Sequence, residues 1–303
     1  MINNLKTNNF VSYCFKNSLL RPLAKIQKMK NIILITICII LSQSLFAQRV
    51  FRIKSDNLER RVPVLVQKPE NYQSSKSYPL VFMLHGYSEN YKQWNKTTNL
   101  KKLATDYQMI LVCPEGFVNY YLNSPNLKNF QYEDFFFQEL VPNIEKKYSI
   151  DTKNIFITGL SMGGYGALSL FIKHSSFFNA AASTSGALEL DYENFKEISL
   201  KFFESERMTK DLEMTLGNQK ENDWKKLSIS SLLENNRDFN KEFFIDCGLD
   251  DPLLSNTIKI KDLALSRKLP VRFSIQAGKH NTEYWAKSIE YHFVYFKQHL
   301  KME

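Results

Sequence analysis

The chain has 303 residues, with 40 Lys and Arg against 31 Asp and Glu and a formal charge of +9. Residues 1–47 hold six of the basic residues and none of the acidic ones, leaving 34 against 31 and a net of +3, so charge gives no argument for a nucleic-acid partner. The 256 residues from Gln48 onward suit one domain with a sizeable core, and they contain no internal repeat or low-complexity tract.

Met29-Lys30-Asn31, the apolar run Ile32–Leu41 and the small-residue end at Ala47 have the order of a secretory signal peptide. The expected start is Met29, after an N-terminal extension, with cleavage after Ala47. The apolar run is too short for a membrane span, and Cys38 lacks the small-residue context of a lipoprotein cleavage site. A secreted or periplasmic domain over 48–303 follows, with no stable membrane association once the signal is removed. Val50–Ile53 and Arg61–Gln67 alternate in polarity and predict an antiparallel edge pair. Core strands are expected at Leu80–Leu84, Met109–Cys113, Ile155–Gly159, Ala180–Ser185, Glu242–Cys247 and Val271–Gln276. Helical patterns separate them at Asn99–Tyr107, Tyr132–Tyr148, Gly164–His174, Leu253–Arg267 and Glu283–Leu300, and Pro142 should interrupt the second. This alternation predicts an α/β fold with a mainly parallel central sheet flanked by helices on both faces. The charged stretch 189–239 has few strand signals and is either a lid-like insertion over the active site or a plain helical crossover. Cys113 and Cys247 end strands in opposite halves of the sheet, too far apart to bridge, and are expected as buried thiols.

Gly159-Leu160-Ser161-Met162-Gly163 lies between an apolar strand and a helix. G-x-S-x-G at such a turn forces the serine into an exposed, strained position at the top of a sheet. A serine hydroxyl needs a base within reach and an acid to orient that base, here in the chain order Ser, Asp or Glu, His. Of the five histidines, His85 precedes Ser161 and His174 follows too closely, while His292 and His299 lie in the C-terminal helix. His280, in the loop after Val271–Gln276, remains as the base. Asp250 and Asp251 both follow the Glu242–Cys247 strand. Asp251 is preferred on the G-x-x-D spacing, with Asp250 second, and one of the two is expected to cap the helix beginning near Leu253. Backbone N–H groups of Met162 and Tyr87 are the expected oxyanion donors, with His85 bracing the Tyr87 loop. Aromatics in 115–129, among them Phe117, Tyr120 and Tyr121, should sit at the catalytic end of the sheet, stacked on substrate or packed in the core. No C-x-x-C pair, H-E-x-x-H, phosphate-binding loop or dinucleotide fingerprint occurs, so neither metal nor cofactor is expected.

Leu84-His85-Gly86-Tyr87-Ser88-Glu89-Asn90 with Trp94, the segment 159–167, Cys247-Gly248-Leu249-Asp250-Asp251, and Gly278-Lys279-His280 with Tyr284-Trp285 together resemble one family. It is the α/β-hydrolase esterase family that includes feruloyl, acetyl-xylan and tributyrin esterases, S-formylglutathione hydrolases and mycolyltransferases. The resemblance implies Ser161 as nucleophile, Asp251 as acid, His280 as base, and Tyr87 and Met162 as oxyanion donors. Trp94, Tyr121 and Trp285 are expected at the substrate. The expected function is a secreted serine carboxylesterase acting on a small-molecule or polysaccharide-linked ester, such as acetylated or feruloylated plant polysaccharide. Acyl transfer to a sugar or lipid hydroxyl, S-formylglutathione-type thioester hydrolysis and a non-catalytic binding module are the alternatives.

Overall fold

The structure is a computed structural model that describes Lys30, Asn31 and residues 47–301. The expected start at Met29 and residues 32–46 of the expected signal peptide lie outside the described residues. Residues from Gln48 onward form one compact unit.

Eight strands make a single sheet in the order β1-β2-β4-β3-β5-β6-β7-β8. They are β1 Gln48–Ser55, β2 Arg60–Gln67, β3 Tyr78–Leu84, β4 Ile110–Pro114, β5 Ile150–Leu160, β6 Ala180–Thr184, β7 Phe243–Gly248 and β8 Val271–Gln276. β1 pairs antiparallel with β2, and β2 antiparallel with β4; every later pairing is parallel. The expected edge pair is therefore present, lengthened at both ends because the Gln48↔Gln67 to Ser55↔Arg60 ladder runs past the apolar residues.

The central strands are unbroken apolar runs because helices cover both faces. Side chains still divide by the two-residue period of a strand. In β3, Leu80, Phe82 and Leu84 enter one core, while Val81 and Met83 enter the other. The second core is closed by α1 (Gln93–Thr97), α2 (Leu100–Tyr107) and the C-terminal helix α10 (Thr282–Gln298). The first is closed by α3 (Tyr132–Asp134), α4 (Val141–Lys147), α5 (Met162–Lys173), α6 (Tyr192–Phe203), α7 (Arg207–Leu216), α8 (Ile229–Asn235) and α9 (Leu254–Ser266). Pro142 does disturb its helix, and it does so upstream. Phe135–Leu140 widens into a π turn immediately before it. A proline offers no N–H to the preceding turn, and inserting one extra residue there relieves the mismatch.

The stretch 189–239 contains α6, α7, a 3₁₀ turn at Trp224–Leu227 and α8, and joins the parallel neighbours β6 and β7. Because β3, β5, β7 and β8 run parallel, the loops after them emerge at one edge of the sheet. That edge collects Tyr87, Ser161, Asp251 and His280.

Beneath this edge, a polar network ties the strands to α10. His292 Nε2 lies 2.6 Å from Asp246 Oδ2, and its Nδ1 lies 2.7 Å from the Thr158 hydroxyl. Thr184 and Ser288 donate to Asp246 Oδ1 at 2.8 and 2.7 Å. Both His292 and Asp246 are buried. Apolar packing in α10 cannot account for a histidine so placed; the carboxylate on β7 does. Removing one partner of such a buried pair leaves the others unpaired, so Asp246→Ala is expected to cost about 3–5 kcal/mol. Urea denaturation measures this, and a loss below about 1 kcal/mol would mean the network contributes no more than an ordinary hydrogen bond.

Candidate active site

Ser161 sits between the end of β5 and the start of α5 with φ 54° and ψ −119°. A non-glycine residue held there is strained, and the surrounding contacts must hold it. Its N–H donates to the Thr184 carbonyl at 3.0 Å, and its carbonyl accepts from Tyr165 and Ala187 at 3.2 and 3.1 Å. The flanking glycines are required by close approach. A Cβ on Gly159 would lie 2.1 Å from the Gly163 carbonyl oxygen, and one on Gly163 would lie 2.3 Å from that of Leu84. The helix that follows the serine thus presses directly on the backbone where β3 ends.

His280 Nε2 stands 3.1 Å from Ser161 Oγ. Its Nδ1 is 3.0 and 3.1 Å from the two carboxylate oxygens of Asp251. The ring is held edge-on by Trp285, with centroids 5.0 Å apart, and is covered by Phe202 at 4.9 Å. Asp251 is buried, whereas Asp250 is exposed, so the geometry selects Asp251. Neither aspartate caps the following helix as expected: α9 begins at Leu254 with Leu253 as its N-cap and no side-chain cap, and Asp251 Oδ1 instead accepts the Leu253 N–H at 2.8 Å in the turn before it. Asp250 contributes through its backbone, its N–H donating to the Gly278 carbonyl at 2.9 Å and so tying the acid loop to the histidine loop.

The Tyr87 loop lies against the serine, since a Cβ on Gly86 would be 3.5 Å from Ser161 Cβ. The Gly86 N–H is committed to Gln93 Oε1 at 2.7 Å, which leaves Tyr87 as the next donor along the loop. Met162 opens α5, and its N–H belongs to the first turn, where no intrahelical carbonyl serves it. His85 braces the loop as expected. Its Nε2 accepts the Gly116 N–H at 2.7 Å, and its Nδ1 donates to the Gly86 carbonyl at 2.8 Å.

Two expected substrate contacts are corrected. Trp94 is fully buried and donates its indole N–H to the Leu84 carbonyl at 2.9 Å. Tyr121 is buried and donates its hydroxyl to the His85 carbonyl at 2.7 Å. Each reaches the same loop from within the core, because carbonyls that have left the sheet ladder need donors. Tyr120 is likewise core, packed against Tyr165 and Phe195. Trp285 does line the pocket beside His280.

A model of the family described as "Putative esterase" matches residues 55–301. The chain belongs to this esterase family. An acetyl esterase from Caldicellulosiruptor saccharolyticus is 25% identical over 225 residues, covering 71% of this chain and 82% of that protein. A solved ferulic acid esterase superposes with a TM-score of 0.69 at 23% identity, over 84% of this chain and 98% of that one. The S-formylglutathione hydrolase of Staphylococcus aureus gives 0.71 at 19% identity, over 83% and 98%. The fold is that of the α/β-hydrolases, and the protein is a carboxylic ester hydrolase.

The esterase pocket encloses about 230 Å³ beside Ser161 and His280. Its apolar wall comes from Leu160, Phe202, Phe203, Met208, Leu253 and Trp285. Phe202, Phe203 and Met208 belong to the β6–β7 crossover and escaped the sequence reading. No local pattern singles them out, since α6 carries apolar residues along its whole length and Met208 belongs to the next helix.

Burial works against the Asp251 charge, but the His280 imidazole and the Leu253 N–H outweigh it and hold the carboxyl below the usual carboxylate range. A depressed folded-state pKa contributes stability that is present above the unfolded value of about 4 and lost as pH falls through the folded one. The unfolding free energies of the wild type and Asp251→Asn should therefore differ most above about pH 4 and converge below it. A difference that stays constant down to strong acid would contradict the pairing.

Proposed function

We propose that this esterase is a secreted or periplasmic serine carboxylesterase that uses Ser161, His280 and Asp251. The observation that carries the reading is the continuous chain of contacts from Ser161 Oγ through both ring nitrogens of His280 to the buried Asp251 carboxylate. Ser161 attacks the ester carbonyl while His280 Nε2 takes its proton. Asp251 holds Nδ1–H, fixing the tautomer and stabilising the imidazolium. The N–H groups of Tyr87 and Met162 receive the charge that develops on the carbonyl oxygen. His280 then protonates the departing alcohol, and water activated by the same histidine cleaves the acyl-enzyme.

Export rests on the basic, apolar and small-residue order of 29–47. An exported esterase meets esters outside the cytoplasm, which is the ground for proposing polysaccharide as the alcohol, and the relatives named acetyl esterase and ferulic acid esterase favour an acetyl or feruloyl group as the acyl part. The apolar wall of the pocket suits an acyl group without charge.

Ser161→Ala should abolish hydrolysis of p-nitrophenyl acetate and leave the thermal midpoint close to that of the wild type. Full activity in that variant would sink the assignment. Asp251→Asn should lower kcat by a factor on the order of 10⁴, as loss of the orienting carboxylate does elsewhere, while Asp250→Asn should change it little. Acetate release from acetylated xylan or turnover of methyl ferulate by the full-length protein would support the polysaccharide class. Thioester turnover with neither of these would replace that class with a thioester. Product transfer to added alcohols in preference to water would make it an acyltransferase.

A further inference from the structure

The pocket wall contributed by the crossover is attached to the oxyanion loop by a group of side chains that the chemistry above does not use. The Tyr87 hydroxyl donates to the Asp211 carboxylate on α7. Arg207, one turn earlier on the same face of α7, donates from Nη2 to the Ser88 hydroxyl at 2.8 Å, and its Nε lies 3.4 Å from the Tyr87 hydroxyl. The Arg207 guanidinium also covers the rings of Tyr87 and Phe203, at 5.4 and 4.9 Å from their centroids. Phe203 meets the Tyr87 ring edge-on at 5.5 Å. A single helical turn thus holds two consecutive loop residues, one of which carries the second oxyanion donor.

The local backbone gives this attachment a task. Ser88 has φ 63°, so the chain turns through the left-handed region immediately after the Tyr87 donor. From the core side, the loop is fixed at Leu84, His85 and Gly86 by Trp94, Tyr121 and Gln93. Those anchors stop at Gly86. The next side chains along, Tyr87 and Ser88, are held by α7. Burial and the Asp211 carboxylate push the Tyr87 phenol up to about 12, so it remains an O–H donor at neutral pH.

We infer that Asp211 and Arg207 are positioning residues for the oxyanion site, holding the Tyr87 N–H on target through the Tyr87 and Ser88 side chains. The inference rests on the serine-esterase reading above. It makes the crossover a part of the catalytic geometry as well as a wall of the pocket. Neither residue touches the reacting atoms, so their loss should act on the transition state more than on substrate binding. The oxyanion exists in the transition state and not in the bound ester.

The test compares Tyr87→Phe, which removes only the hydroxyl, with Asp211→Ala and Asp211→Asn in the full-length protein. Expected for Tyr87→Phe and Asp211→Ala is a fall in kcat on the order of 10- to 100-fold with KM nearly unchanged, the size of effect produced by misplacing one donor. The Ki of a trifluoromethyl ketone, which forms the tetrahedral oxyanion with Ser161, should rise in parallel. Asp211→Asn keeps an acceptor for the Tyr87 hydroxyl and should retain most of the activity. The double variant Tyr87→Phe/Asp211→Ala should be no slower than the worse single one, because both remove the same bond. If Asp211→Ala fails to fold, Tyr87→Phe decides alone. Unchanged kcat and ketone Ki in Tyr87→Phe, or a rise in KM alone, would overturn the inference. Absence of Ser161-dependent turnover in the wild type would instead overturn the esterase chemistry, and the inference with it.

Discussion

The contact from which the site is built is one of backbone against backbone: Gly163 at the start of α5 against the carbonyls of Leu84 and His85, where β3 ends. The chain must leave β5 and enter a helix at Ser161 while that helix touches the neighbouring strand, and no side chain fits in between. The turn can close only by placing Ser161 at a positive φ. Such a conformation costs about 1–3 kcal/mol, which the bonds to Thr184, Tyr165 and Ala187 help to offset. Because the Tyr87 loop begins at the carbonyls that Gly163 touches, Ser161 and that loop share one boundary. Asp251 and His280 follow two further parallel strands, and their loops are joined by the bond from the Asp250 N–H to the Gly278 carbonyl.

Rigidity below the site comes from polar groups placed where a core would ordinarily be apolar. Trp94, Tyr121 and His85 supply donors or acceptors to a loop that has left the sheet ladder. Asp246 and His292 join β5, β7 and α10 with hydroxyls of β6 and α10 completing the set. These four elements carry or adjoin Ser161, Asp251 and His280. A shift of one against another would stretch a buried hydrogen bond, which is costlier than sliding one apolar face over another.

The strands and the serine turn were legible in the sequence because each depends on local pattern. Apolar runs of strand length and glycines two residues either side of Ser161 need no knowledge of the fold, whereas the order of serine, aspartate and histidine borrows the rule of an α/β-hydrolase. Other features depend on direction, which composition does not encode. Trp94 on the short helix α1 and Tyr121 in a loop both lie near the catalytic end, and an aromatic there looks the same in sequence whether it faces substrate or core. What separates the two is the destination of its polar tip, here the carbonyls of Leu84 and His85. Spacing favoured Asp251 over its neighbour Asp250, and the turn shows that it is the one that points inward and meets His280. His292 was legible as a residue of the C-terminal helix but not as paired, since its partner lies 46 positions away. In the crossover, nothing in 189–239 indicates which helix end lies over the site, so Phe202, Phe203, Arg207 and Asp211 could not be placed.

The crossover joins two tasks that many folds keep apart. Its α6 end supplies Phe202 and Phe203 to the pocket wall, and Phe202 also covers the ring of His280. The first two turns of α7 supply Met208 to the same wall, and Arg207 and Asp211 to the Tyr87–Ser88 loop. On the proposed chemistry, the pocket wall and the alignment of the Tyr87 N–H would both depend on one short stretch of chain, 202–211. A substitution that reshapes the wall cannot move the helix without also moving the latch. On the inference drawn above, substrate range and rate would be coupled through α7, whereas the serine turn is fixed by glycine contacts and backbone bonds that involve no residue of the pocket wall from the crossover.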